Sequence, residues 1–162
     1  MNITVREYKS TDAHAAAEIW NEVVRDGVAF PQENEMSDTD ADEFFRSQSY
    51  TGIACDKNGK VYGLYILHPN NVGRCGHISN ASYAVSSFAR RKGVGRAVVP
   101  DCIKKAKELG FGILQFNAVV ASNTAALALY KSLGFTQLGV IPDGFRLKDG
   151  NYEDIIPHYI EL

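Results

Sequence analysis

The order in which this chain changes its hydrophobic period constrains its fold more than any other feature. Residues 3–8 alternate apolar and polar, the two-residue period of a half-buried strand. Ser10, Thr11 and Asp12 then offer caps for a helix. Ile19, Val23 and Asp26 share one face of it, Trp20 and Val24 extend that face, and Gly27 stands just past its end. The stretch VAFPQENEM is too polar and too proline-broken for either element, and a second helix is expected over 38–48. Segments 51–55 and 60–67 flank Asp56-Lys57-Asn58-Gly59, a hairpin turn signal. A strand over 77–85 leads to a helix over 93–109 that Gly110 ends and Pro100 should bend. A strand over 112–120, a helix over 123–133 closed by Gly134, and strands over 136–141 and 152–160 complete the chain.

The order β-α-α-β-β-β-α-β-α-β-β implies an α/β (α+β) architecture: a mixed, mostly antiparallel sheet of six or seven strands with about four helices on its two faces. No linker, low-complexity tract or internal repeat divides the sequence. A length of 162 residues suits one core, so 1–162 reads as one domain.

Composition narrows the function. The chain is 45% hydrophobic and 22% charged, with a formal net charge of -2. Proteins whose main partner is nucleic acid or an anionic membrane usually carry a strong basic excess, so neither partner is expected. MNITVREYKS lacks the basic-then-apolar layout of a signal peptide, and no apolar run approaches membrane-spanning length, so a cytoplasmic protein is expected. Cys55, Cys75 and Cys102 are odd in number and form no CxxC pair, which argues against a metal site or a disulfide framework.

The segment Arg90-Arg91-Lys92-Gly93-Val94-Gly95 opens the 93–109 helix. A P-loop would need Gly-Lys-Ser/Thr where Gly95-Arg96-Ala97 stands, and a dinucleotide fingerprint would need glycine where Val98 stands. Two readings remain. One is a solvated basic turn. The other is a pyrophosphate cradle, in which uncapped helix amides and the helix dipole meet an anion and missing Cβ atoms allow close approach.

Arg90-x-x-Gly93-x-Gly95 resembles the [QR]-x-x-G-x-[GA] signature of the GNAT superfamily of N-acetyltransferases, with a strand ahead of it and a helix behind. SNTAALALYKSLGF, residues 122–135, resembles that family's N-x-x-[AS]-x-x-x-Y-x-x-x-G-F element. The resemblance covers the whole chain in element order and is most specific over 77–135. It implies acetyl-CoA as acetyl donor. Its pyrophosphate would lie among Arg90, Arg91, Lys92, Gly93, Val94, Gly95 and Arg96, and backbone bonds to its pantetheine arm would come from Ala84 and Val85. Asn123 would hold the arm, and the hydroxyl of Tyr130 would protonate the leaving thiolate. Nearly two helical turns separate Asn123 from Tyr130, so they share a helix face, and the phenol leans toward the end that Asn123 caps.

Acetyl transfer also needs a neutral amine and a donor for the developing oxyanion. Backbone N–H groups at the end of the 77–85 strand suit the oxyanion. Many family members carry a glutamate base on that strand. HISNASYAV holds none, so water relayed by polar side chains, or capture of the neutral amine, must replace it. Asn80 and Asn117 each interrupt an expected strand, and a buried amide needs a partner. With Asn123 they resemble the branch acting on azetidine-2-carboxylate and other proline-like amino acids, where such amides hold substrate and water. PQENE resembles that branch's acceptor loop, which makes Phe30, Pro31 and Gln32 acceptor-site residues by position. The expected function is direct acetyl transfer to a small amine, an amino acid or analogue foremost, with no metal and with homodimerisation through the last strands possible. The alternatives are acetylation of a protein N-terminus or lysine, and a non-catalytic acyl-CoA-binding module.

Overall fold

The computed structural model describes residues 2–162. β1 (Thr4–Glu7) leads through a short 3-10 turn to α1 (Ala13–Asp26), which Gly27 closes in the left-handed region at φ 66°. Only a residue without a Cβ adopts that conformation at little cost. α2 (Asp38–Ser47) begins at Ser37, whose hydroxyl accepts the Asp40 N–H. β2 (Tyr50–Cys55) and β3 (Val61–Pro69) form the expected hairpin, with Asp56 accepting the N–H groups of Asn58 and Lys60 in the turn. β4 (Ile78–Val85), α3 (Val94–Glu108), β5 (Ile113–Phe116) and α4 (Thr124–Ser132) follow.

Seven strands form one sheet in the order β1-β2-β3-β4-β5-β9-β6, where β6 is Thr136–Gln137 and β9 is His158–Glu161. Among the described residues only β4 and β5 pair in parallel. Alternation along β3 sets the two faces. Leu64 and Ile66 turn toward α1 and α2, packing with Trp20, Phe45 and Ile53, while Tyr65 and Leu67 turn toward α3, packing with Val98, Val99, Cys102 and Leu114. α4 joins the α3 side through Tyr130.

Three expectations need correction. The expected 112–120 strand stops at Phe116, because the chain leaves the sheet there to run beside the cavity described below. The expected 152–160 strand is two, β8 (Tyr152–Ile155) and β9, parted at Pro157, which has no N–H to give to a ladder. The expected 136–141 strand keeps only Thr136–Gln137 as β6, and β8 forms a separate two-stranded sheet with β7 (Ile141–Arg146). α3 passes through Pro100 without a break; Pro100 lies on the exposed face, where the carbonyl deprived of its partner reaches solvent.

Candidate active site

The parallel β4–β5 ladder holds only Ile78↔Ile113, Ser79↔Leu114 and Asn80↔Gln115. Side chains take over where it ends: the Ser79 hydroxyl donates to Ile113 O at 2.8 Å, and Asn80 Nδ2 donates to Gln115 O at 2.9 Å. β4 runs on to Val85 beside no partner strand on that edge.

Two bonds fix which backbone groups the free edge presents. Asn70 N–H donates to Ile78 O at 2.8 Å, and Ser86 N–H donates to Tyr62 O at 3.0 Å. In an antiparallel ladder alternate residues bond the neighbour, so the even-numbered residues of β4 face β3. Ala84, registered with Leu64, is therefore engaged on that side. Tyr83 and Val85 present their backbone groups to the opening, whereas those of Ala84 face β3.

Beyond β4, Gly93 adopts φ 89° and ψ 2° at the head of α3, and no side chain caps the helix. The first bond back is Ala97 N–H to Gly93 O at 3.1 Å, which leaves the amides of Val94, Gly95 and Arg96 without helical partners. A Cβ on Gly93 would enter open space, and one on Gly95 would come within 3.4 Å of Leu129 on α4. Arg91, Lys92 and Arg96 are exposed around this end. Arg90 differs from them. Its guanidinium pairs with Asp26 at 2.7 Å, while the Ser87 N–H is held by the Glu22 carboxylate at 3.0 Å. Arg90 thus ties the loop to α1, and the free cations are its neighbours. Bare amides, a dipole and three cations with no ion pair among the described residues fit a diphosphate.

A cavity of about 180 Å³ fills the splay between the strands. Residues 80–83 of β4 wall it on one side; residues 116–120, with Asn123, Ala126 and Tyr130, wall it on another. Residues 29–31 close it from α1. The Tyr130 ring packs on Phe116 at 4.6 Å, Phe135 at 5.5 Å and His158 at 5.7 Å. Burial holds the Tyr130 phenol well above its ordinary pKa, with the Cys102 thiol adding to the effect, so it stays protonated at neutral pH. Asn123 Oδ1 accepts the Ala126 N–H at 3.3 Å as the helix cap, which leaves its Nδ2 free toward the cavity.

The asparagines part company. Asn80 is half-buried, with its Nδ2 spent on Gln115 and its Oδ1 free. Asn117 is not a buried strand amide as expected: it is exposed beyond the end of β5, donating to Asn70 Oδ1 at 2.7 Å and accepting from Gln115 Nε2 at 3.0 Å. It still borders the cavity. Phe30 is buried against Trp20 at 4.4 Å, and Pro31 and Gln32 are exposed. A second recess adjoins the cavity through Pro31, Asn80 and Ser82, and adds Gln32 together with His68 of β3. Nothing local in the sequence marks His68, since its place beside Asn80 follows only from the strand register. Cys102 is fully buried and its thiol is pushed up to about 12, chiefly by burial, so it offers no thiolate at neutral pH. Among the described residues no group of three acidic, histidine or cysteine side chains could hold a metal, and no helix is long and apolar enough to cross a membrane.

Residues 15–135 match the model of the acetyltransferase (GNAT) family. The chain belongs to that family. As a GNAT N-acetyltransferase it uses acetyl-CoA as its acetyl donor. It is 31% identical over 150 residues to N-acetyltransferase aca1 of Schizosaccharomyces pombe, across 83% of this chain and 71% of that protein. It is 37% identical over 73 residues to the ribosomal protein bS18 alanine N-acetyltransferase of Escherichia coli, across 45% of this chain and 49% of that one. Among solved structures, a GCN5-related N-acetyltransferase from Kribbella flavida superposes with a TM-score of 0.91 at 34% identity, covering 99% of this chain and 98% of that one.

Proposed function

We propose that this GNAT chain transfers the acetyl group of acetyl-CoA to the amine of a small molecule, an amino acid or analogue foremost, by direct attack in a ternary complex. The observation that carries the reading is the Tyr130 phenol, buried, protonated and lining a cavity whose other walls are the free edge of β4 and the loop after α1. The uncapped amides of Val94, Gly95 and Arg96, with Arg91 and Lys92, hold the diphosphate. The odd-numbered backbone groups of β4 hold the arm, and the Asn123 amide steadies it. The amine attacks the thioester carbon. An N–H of β4 meets the oxygen, an interaction whose loss typically costs about 3 kcal/mol. The carbon–sulfur bond then breaks, and Tyr130 gives the thiolate its proton, a contribution of roughly 10²–10⁴-fold.

A small acceptor fits the two adjoining recesses, of about 180 and 480 Å³. Neutral amides at Asn80, Asn123 and Gln32 suit a zwitterionic amino acid, proline-like ones included. The recesses carry no carboxylate to favour a polyamine. The second reading, a protein N-terminus as acceptor, draws on the bS18 relative alone.

Thiol release from acetyl-CoA, screened across proline analogues, other amino acids, polyamines, aminoglycosides and a peptide with a free N-terminal alanine, tests both. Release that requires a free amino acid supports the first reading. Release with the peptide alone transfers the assignment to a protein N-terminus. Tight acetyl-CoA binding with no amine-dependent release refutes both and leaves a binding module.

A further inference from the structure

Acetyl transfer to an ammonium needs a proton acceptor, and neither β4 nor the walls of the two recesses carry a carboxylate. On the acetyltransferase reading above, we infer that His68 is the general base and that the second recess is where the acceptor's nitrogen arrives.

His68 stands on β3 in register with Asn80, so the two side chains share one face of the sheet. Both line the second recess, and Asn80 also lines the cavity that Tyr130 faces. His68 Nδ1 lies 2.9 Å from the Pro69 carbonyl oxygen. A carbonyl can only accept, so Nδ1 carries the hydrogen and Nε2 keeps its lone pair. The neighbours do not compete for the proton. β4 contributes Asn80 and Ser82, α2 contributes Phe44 with its C-cap Gln48, and the loop after α1 contributes Pro31 and Gln32. His68 is thus the sole titratable side chain on that wall. His77, by contrast, lines neither recess.

The proton count closes. His68 Nε2 takes one proton from the ammonium, directly or through one water held by Asn80 and Ser82, and later returns it to solvent. The neutral nitrogen forms its bond to the acetyl carbon as the carbon–sulfur bond breaks. The nitrogen's second proton replaces the one that Tyr130 gave to sulfur. The products are an amide, free coenzyme A and one proton.

The test compares wild type with His68→Ala and His68→Gln, using the best amine from the thiol-release screen between roughly pH 6 and pH 9. Acetyl-CoA affinity is measured alongside by calorimetry. Expected is a loss of about 10²-fold in kcat/KM for the amine near neutral pH in both variants, with acetyl-CoA affinity unchanged. Their rates should then climb toward the amine's own pKa of about 10, where wild type has levelled. Added imidazole should restore part of the rate to the alanine variant and none to the glutamine variant. A pH profile and rate equal to wild type in a folded His68→Gln variant overturns the inference, as does a loss confined to acetyl-CoA affinity. Wild type that releases no thiol with any amine overturns the acetyltransferase reading itself, a result distinct from either.

Discussion

Replacing Tyr130 by phenylalanine isolates one hydroxyl. The ring's packing on Phe116, Phe135 and His158 survives the change. The hydroxyl makes no hydrogen bond to another described residue, so removing it orphans no buried partner, and stability should move by no more than about 0.5 kcal/mol. Truncation to alanine would instead open a cavity among three rings and cost roughly 3–5 kcal/mol. Catalysis is where phenylalanine should tell. A positioned acid is worth at least about 10²-fold, or ~2.7 kcal/mol of barrier. The thiolate would then leave without a proton or take one from water. Continuous thiol detection at saturating acetyl-CoA should show kcat down by about 10²-fold or more. Calorimetric affinity for acetyl-CoA should stay within about threefold, because on the proposed function the diphosphate and arm meet the α3 amides, Arg91, Lys92, the β4 edge and Asn123 rather than Tyr130. A folded variant with kcat within about fivefold of wild type would refute the assignment of the proton to Tyr130.

Two further expectations concern the cradle and the fold. Arg91 sits at φ 61°, a conformation that costs a side-chain-bearing residue roughly 1–2 kcal/mol. Arg91→Gly should relieve it, raising stability by about 0.5 kcal/mol after the entropy that glycine adds to the unfolded chain, while lowering acetyl-CoA affinity about fivefold in a salt-dependent way; thermal melts and calorimetry at two ionic strengths check both. Asp12 accepts both arms of Arg6, at 2.7 and 2.8 Å, and the Lys9 N–H at 2.9 Å. The Arg6 fork leads in holding its carboxyl below the ordinary carboxylate range. Its contribution is therefore full above the unfolded pKa of about 3.9 and fades as pH falls through the lower native value. Asp12→Asn should cost about 1–2 kcal/mol at neutral pH, discounted for the partial exposure of Arg6, and should flatten the acid side of a Tm-against-pH curve.

Sequence reasoning went furthest where one residue's chemistry decides one local conformation. Gly27, Gly110 and Gly134 mark helix ends because each takes a positive φ there, and the Asp56–Gly59 turn is legible from its own hydrogen bonds. The glycines and cations of residues 90–96 are likewise contiguous, so that stretch stands out in the sequence by itself. Legibility stopped where partners are distant in sequence. Nothing local says that β5 ends at Phe116 rather than Val120, since the reason is the opening beside β4. The role of Ala84 turned on a ladder parity set by Asn70 and Tyr62. Arg90 is grouped with the anion contacts by its place in the signature, and its partner Asp26, 64 residues away, is not legible from there. His68 was invisible until register placed it opposite Asn80.

The two ties from α1, Glu22 to the Ser87 amide and Asp26 to Arg90, have a consequence for redesign. The helix that anchors the 87–90 loop leads into the segment of Phe30, Pro31 and Gln32, which border the cavity and the recess beside it. Swapping residues 28–36 alone to recruit a new amine will disturb donor affinity as a side effect. Selectivity should transplant cleanly only when residues 22–36 travel as one cassette together with the loop they staple.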